Sequence, residues 1–78
     1  MSIIVVLENP GNTALLVVHA AAADPDVAED PGPVTACGID TAPMVAEHWR
    51  PAGPGARWYP PRLRQWVCPL CDRAVRMS

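Results

Sequence analysis

The sequence predicts a small, stapled β-rich domain with three to four short strands, one short helix and long proline-rich loops. Three observations lead there. At 78 residues the chain is one domain at most, and a domain of that size buries too little apolar surface to be secure without a cross-link, metal or partner. Its apolar runs are short and β-branched near the amino terminus, and ten prolines and five glycines interrupt the chain, most of them beyond residue 24. Three cysteines and two histidines supply the means of stapling. Phenylalanine is absent, so only Trp49, Trp58, Trp66 and Tyr59 provide aromatic bulk.

Taken in order, Ile3–Glu8 is apolar and β-branched, Asn9-Pro10-Gly11-Asn12 is a turn tetrapeptide, and Thr13–Ala20 is apolar again. This is the pattern of a hairpin. In its second strand Leu15, Val17 and His19 share one face and Leu16, Val18 and Ala20 the other, which delivers the imidazole near a strand end. Ala21–Pro33 lacks periodicity and is dense in breakers, so it reads as a loop with one helical turn at Asp26–Glu29. Val34–Cys37 forms a short strand ending at Gly38. Asp40 or Thr41 can cap a helix with Pro43 in its first turn, followed by Met44–Trp49. The stretch 50–61 holds four prolines and two glycines and should run extended as a surface loop presenting Trp58 and Tyr59. Arg62–Val67 alternates as a last strand, with Arg62, Arg64 and Trp66 on one face.

Charge is segregated along the chain. The formal net charge is −2, yet Glu8, Asp24, Asp26, Glu29, Asp30, Asp40 and Glu47 all precede the first cation, while Arg50, Arg57, Arg62, Arg64, Arg73 and Arg76 follow with Asp72 alone. All positive charge is arginine, suited to bidentate contacts with carboxylates or phosphates. Richness in alanine, proline, glycine and arginine without lysine or phenylalanine is what GC-rich coding imposes, pointing to a bacterium or its phage. No positive n-region precedes Ile3–Leu7, and the uncharged stretch Asn9–Ala23 is too short to cross a bilayer. A soluble, cytoplasmic protein is expected.

Cys68-Pro69-Leu70-Cys71 carries the strongest local signal. Two intervening residues let a tight turn bring both sulfurs to one tetrahedral zinc ion, whose ligand sulfurs lie roughly 3.8 Å apart. Cys37, followed by the conformationally free Gly38, adds a third sulfur. The fourth ligand is His19, giving the spacing H-x17-C-x30-C-x2-C, or His48. His19 is favoured because it ends a strand beside which the Cys37 segment can pair, whereas His48 follows Glu47 on an expected short helix. A redox pair would require a βαβ setting with the motif opening a helix. A disulfide framework would leave one of three cysteines unpaired. Neither fits as well as zinc.

His19, then Thr35-Ala36-Cys37-Gly38, then Trp66-Val67-Cys68-Pro69-Leu70-Cys71, resembles the small, mostly uncharacterised zinc-ribbon-like proteins of actinobacteria and their phages. The likeness spans roughly Val18–Arg73 by motif order. It implies that His19, Cys37, Cys68 and Cys71 bind zinc; from its length the chain is expected to be a single zinc-binding domain over residues 1–78. The acidic loop and the proline-rich stretch 50–61 have no counterpart in it.

With four protein ligands no coordination position is open, and three thiolates leave the cluster at −1, to be offset by Arg73 and by backbone N–H groups after Cys37 and Cys71. No phosphate-binding loop, nucleophile elbow or H-E-x-x-H is present, so an enzyme is not expected. Recognition is the expected task. A larger protein partner, such as transcription or replication machinery, would be met through Trp58, Tyr59, Arg57, Arg62 and Arg64, the residue types that anchor interfaces. The competing expectation is nucleic-acid binding through the arginines, with Trp58, Tyr59 and Trp66 as stacking platforms. The acidic first half and the sequence pI of 5.4 count against it.

Overall fold

The hairpin is the framework on which the other elements assemble. In a computed structural model describing residues 3–49, 51, 53 and 55–77, strand β1 (Ile3–Glu8) pairs antiparallel with β2 (Val17–Ala23), with Val6 opposite His19 and Glu8 opposite Val17. The second strand thus begins later and runs further than its apolar run suggests. Asn12 and Leu15 close successive turns by donating to the carbonyls of Asn9 and Asn12, which keeps residues up to Leu16 out of the ladder. Asn9 sits at φ 56°, a left-handed conformation that asparagine tolerates.

Strand β3 (Pro31–Thr35) lies outside β2, and β4 (Val45–Glu47) lies outside β1, giving an antiparallel sheet of order β3-β2-β1-β4. Strand β3 starts three residues earlier than expected. Gly32 permits this, since a Cβ there would stand 3.1 Å from the Ala22 carbonyl oxygen. The expected helical turn at Asp26–Glu29 is instead a loop organised by the Asp24 carboxylate, which accepts the amides of Asp26 and Val27.

Two elements are of a different kind from those the local pattern predicts. Met44–Trp49 is not helical. The capping residues Asp40 and Thr41 close only turns, accepting the amides of Ala42 and Met44, and Val45–Glu47 joins the otherwise open edge of β1 against Val5–Leu7. Arg62–Val67 is not a strand. Pro61–Trp66 forms a 3-10 helix entered through Pro60, with proline in its first turn. Its three-residue period puts Leu63 and Trp66 on one side, so Leu63 is buried and Trp66 packs against the same core. Alternating arginines imitated a strand here. Of the expected loop 50–61, residues 50, 52 and 54 lie outside the described residues.

The carboxyl-terminal segment then forms the one α-helix among the described residues, α1 (Pro69–Met77). The cysteine pair therefore does open a helix. Cys68 stands at its cap, its carbonyl accepting the amide of Asp72, and Pro69 occupies the first helical position, where its missing N–H is harmless. An ion pair between Asp72 and Arg76, one turn apart, supports the exposed side. No helix among the described residues is long and apolar enough to cross a membrane.

The core is small and divided. Val5, Val18, Tyr59 and Leu63 form one cluster, and Ala20, Cys68 and Cys71 form another, with Trp58 packed against both. Trp58 is fixed there by an edge contact with Tyr59, ring centroids 5.1 Å apart, and by an Nε1–H bond of 3.0 Å to Asp72. Two of the three buried residues of the second cluster are thiols, and Ile3, Val17, Cys37, Trp58 and Val75 pack around them.

Candidate metal centre

The outer edge of β2 is shared between two segments, and the site forms where they meet. Strand β3 covers its far half. Beyond Thr35 the amide of Ala36 donates to the Ala20 carbonyl at 2.7 Å, and the amide of Cys68 donates to the Val18 carbonyl at 2.8 Å, where Val67 bridges parallel to Val18. Carbonyls 18 and 20 flank His19. Backbone pairing therefore brings Cys37, which follows Ala36, and Cys68 to either side of the imidazole, and the first turn of α1 adds Cys71.

His19, Cys37, Cys68 and Cys71 offer donor atoms that all lie within 4.8 Å of one another, close enough to hold a metal ion. Nδ1 of His19 is 3.6 Å from Cys37 Sγ and 3.5 Å from Cys71 Sγ. The imidazole is 2% exposed; Cys68 and Cys71 are buried, and Cys37 is half-buried. Nε2 faces the other way, donating to Glu8 Oε1 at 3.0 Å.

Local structure prepares each sulfur. Gly38 at φ 93° turns the chain back after Cys37, and its amide donates to the Thr35 carbonyl. The Thr35 hydroxyl accepts the Ile39 amide at 3.0 Å and lies 3.1 Å from Cys37 Sγ, where it is the donor to a thiolate. Burial opposes ionisation of Cys37, but hydrogen bonding, foremost from the Thr35 hydroxyl, outweighs it and brings the thiol from 9.0 down to about 7. Burial dominates at Cys71 and pushes its thiol up to about 11. Because α1 begins at the cluster, the positive end of its peptide dipole also favours sulfur anions there.

Of the two histidines considered as fourth ligand, the structure brings His19 to the cysteines. His48 is exposed beyond β4, beside a cleft lined by Ile3, Ile4, Glu29, Glu47 and Trp49. Arg73, expected to offset cluster charge, is exposed on α1; the side-chain donor on a cluster sulfur is Thr35. The expected surface presentation of Trp58 and Tyr59 is corrected as well. Tyr59 is 5% exposed within the core and Trp58 is half-buried, because a core without phenylalanine draws on every large ring available. Arg57, Arg62 and Arg64 are exposed, Arg62 pairing with Glu47 at 3.4 Å.

Sequence reasoning missed Glu8 and the role of Thr35. Glu8 is an acid ending an apolar strand, a signal in itself, but its tie to His19 depends on hairpin register. Comparison of the chain with protein-family models, with curated proteins and with solved structures finds no match.

Proposed function

We propose that this chain is a small protein-interaction module whose fold is held by one structural zinc ion on His19, Cys37, Cys68 and Cys71. The observation that carries the zinc reading is the donor set itself: three thiol sulfurs and one imidazole nitrogen converge within 4.8 Å and are largely screened from water. That set suits tetrahedral zinc, and four protein ligands leave no position for a substrate. When bound, zinc supplies a cross-link rather than a reaction, tying β2, the turn after β3 and the start of α1 together.

Protein recognition is favoured over nucleic-acid binding because the aromatic residues needed as stacking platforms are engaged in the fold. Tyr59 is buried, Trp58 bonds Asp72, and Trp66 Nε1–H donates to the Thr13 carbonyl at 3.1 Å. Contact with a partner then falls to Arg57, Arg62 and Arg64. Metal analysis of the purified chain should give one zinc per molecule, and single-stranded DNA or heparin should not retain it. Salt-sensitive retention on either matrix that is lost in a triple alanine variant at residues 57, 62 and 64 would replace this reading with the nucleic-acid one.

A further inference from the structure

We infer that Glu8 is the positioning residue of the metal centre: its carboxylate holds the Nε2–H of His19, so that Nδ1 is the nitrogen offered to the ion. The inference rests on the metal reading above and adds a residue outside the four ligands.

A neutral imidazole carries its proton on one nitrogen and a lone pair on the other, so the partner of one nitrogen decides the availability of the second. An ionised carboxylate accepts and does not donate. The 3.0 Å contact between Glu8 Oε1 and His19 Nε2 therefore places the proton on Nε2 and frees the Nδ1 lone pair, on the side where Cys37 and Cys71 stand 3.6 and 3.5 Å away. With the ring 2% exposed, water has little access to Nε2–H, and loss of Glu8 would leave a buried donor without its acceptor. The hydrogen bond that selects this ring orientation would then be gone.

The contact is a product of strand register. Val6 opposes His19 and Glu8 opposes Val17, so Glu8 and His19 are diagonal neighbours on one face of the hairpin. Sliding β1 by one residue would send Glu8 to the opposite face. Its side chain is 37% exposed, so solvent carries part of the carboxylate charge beside an already anionic cluster. A carboxylate behind a ligating histidine raises its basicity and fixes its orientation.

The test uses the full chain with 15N-labelled histidine, loaded with zinc and separately with 113Cd, as wild type, Glu8→Gln and Glu8→Ala. In the wild type, long-range proton–nitrogen spectra should show the proton on Nε2 in slow exchange, and 113Cd coupling should reach Nδ1. Glu8→Ala should bind zinc about 10–100-fold more weakly in chelator competition and lose the protected Nε2 proton. Glu8→Gln, whose amide oxygen still accepts, should keep Nδ1 ligation with a smaller loss. Cadmium coupling through Nε2 would overturn the inference, as would Glu8→Ala with wild-type affinity and an unchanged Nε2 proton. Failure of the wild type to take up one ion would instead overturn the metal reading itself.

Discussion

Cys71 Sγ lies 3.5 Å from His19 Nδ1, although 52 residues separate them. The first hairpin and the last helix are thereby brought to one point, and an ion there would close a long loop of the chain. Metal affinity in so small a domain is largely folding free energy. Cys37→Ser, Cys68→Ser and His19→Ala should each abolish stoichiometric zinc and collapse amide chemical-shift dispersion. His48→Ala, at an exposed position, should change stability by less than about 0.5 kcal/mol. Zinc content and denaturant melts of the four variants check this, and a folded, zinc-free His19→Ala protein would contradict it.

Zinc uptake should depend on pH in a direction set by the thiols. Without metal, Cys71, pushed up to about 11, holds its proton at neutral pH, while Cys37, brought down to about 7, is half ionised. Binding requires both as thiolates, so zinc uptake drives the proton off Cys71 at neutral pH and off Cys37 increasingly as pH falls through about 7. Because the metal-free state binds more protons, apparent affinity must fall as pH is lowered, more steeply below pH 7. Proton release on zinc titration in weakly buffered solution measures the slope directly; affinity independent of pH between 6 and 8 would refute the assignment.

Thr35→Val tests the support beneath Cys37. The hydroxyl links the Ile39 amide to the Cys37 sulfur, and Thr35 is only 4% exposed. Valine keeps the volume and removes both bonds. A loss of about 1–2 kcal/mol in the zinc-loaded protein is expected, with faster transfer of zinc to a chelator. Unchanged transfer kinetics would show that the hydroxyl does not act on the sulfur.

Trp58→Phe separates the two roles of the ring that joins the core clusters. Phenylalanine retains most of the contact with Tyr59 but loses the Nε1–H bond to Asp72, a charged acceptor in a partly buried setting. Urea melts should show a loss of about 1–2 kcal/mol. Zinc stoichiometry should remain at one per chain, since no ligand is touched.

The sequence by itself determined the chemistry of the donors and the first hairpin. Cys68 and Cys71 at C-x2-C spacing, Cys37 before Gly38 and His19 on a strand are local patterns that carry their meaning wherever the chain goes. Residues whose conformation is decided by distant partners were not legible. Val45–Glu47 is a strand because β1 had an open edge, and Pro61–Trp66 winds into a 3-10 helix because Leu63 and Trp66 both face the core. Only the tertiary structure set His19 rather than His48 beside the cysteines and revealed Glu8 on the far side of its ring. Pairing of the 36 and 68 amides with carbonyls 20 and 18 is non-local, and a one-residue change of register would dissolve the site while leaving every motif intact.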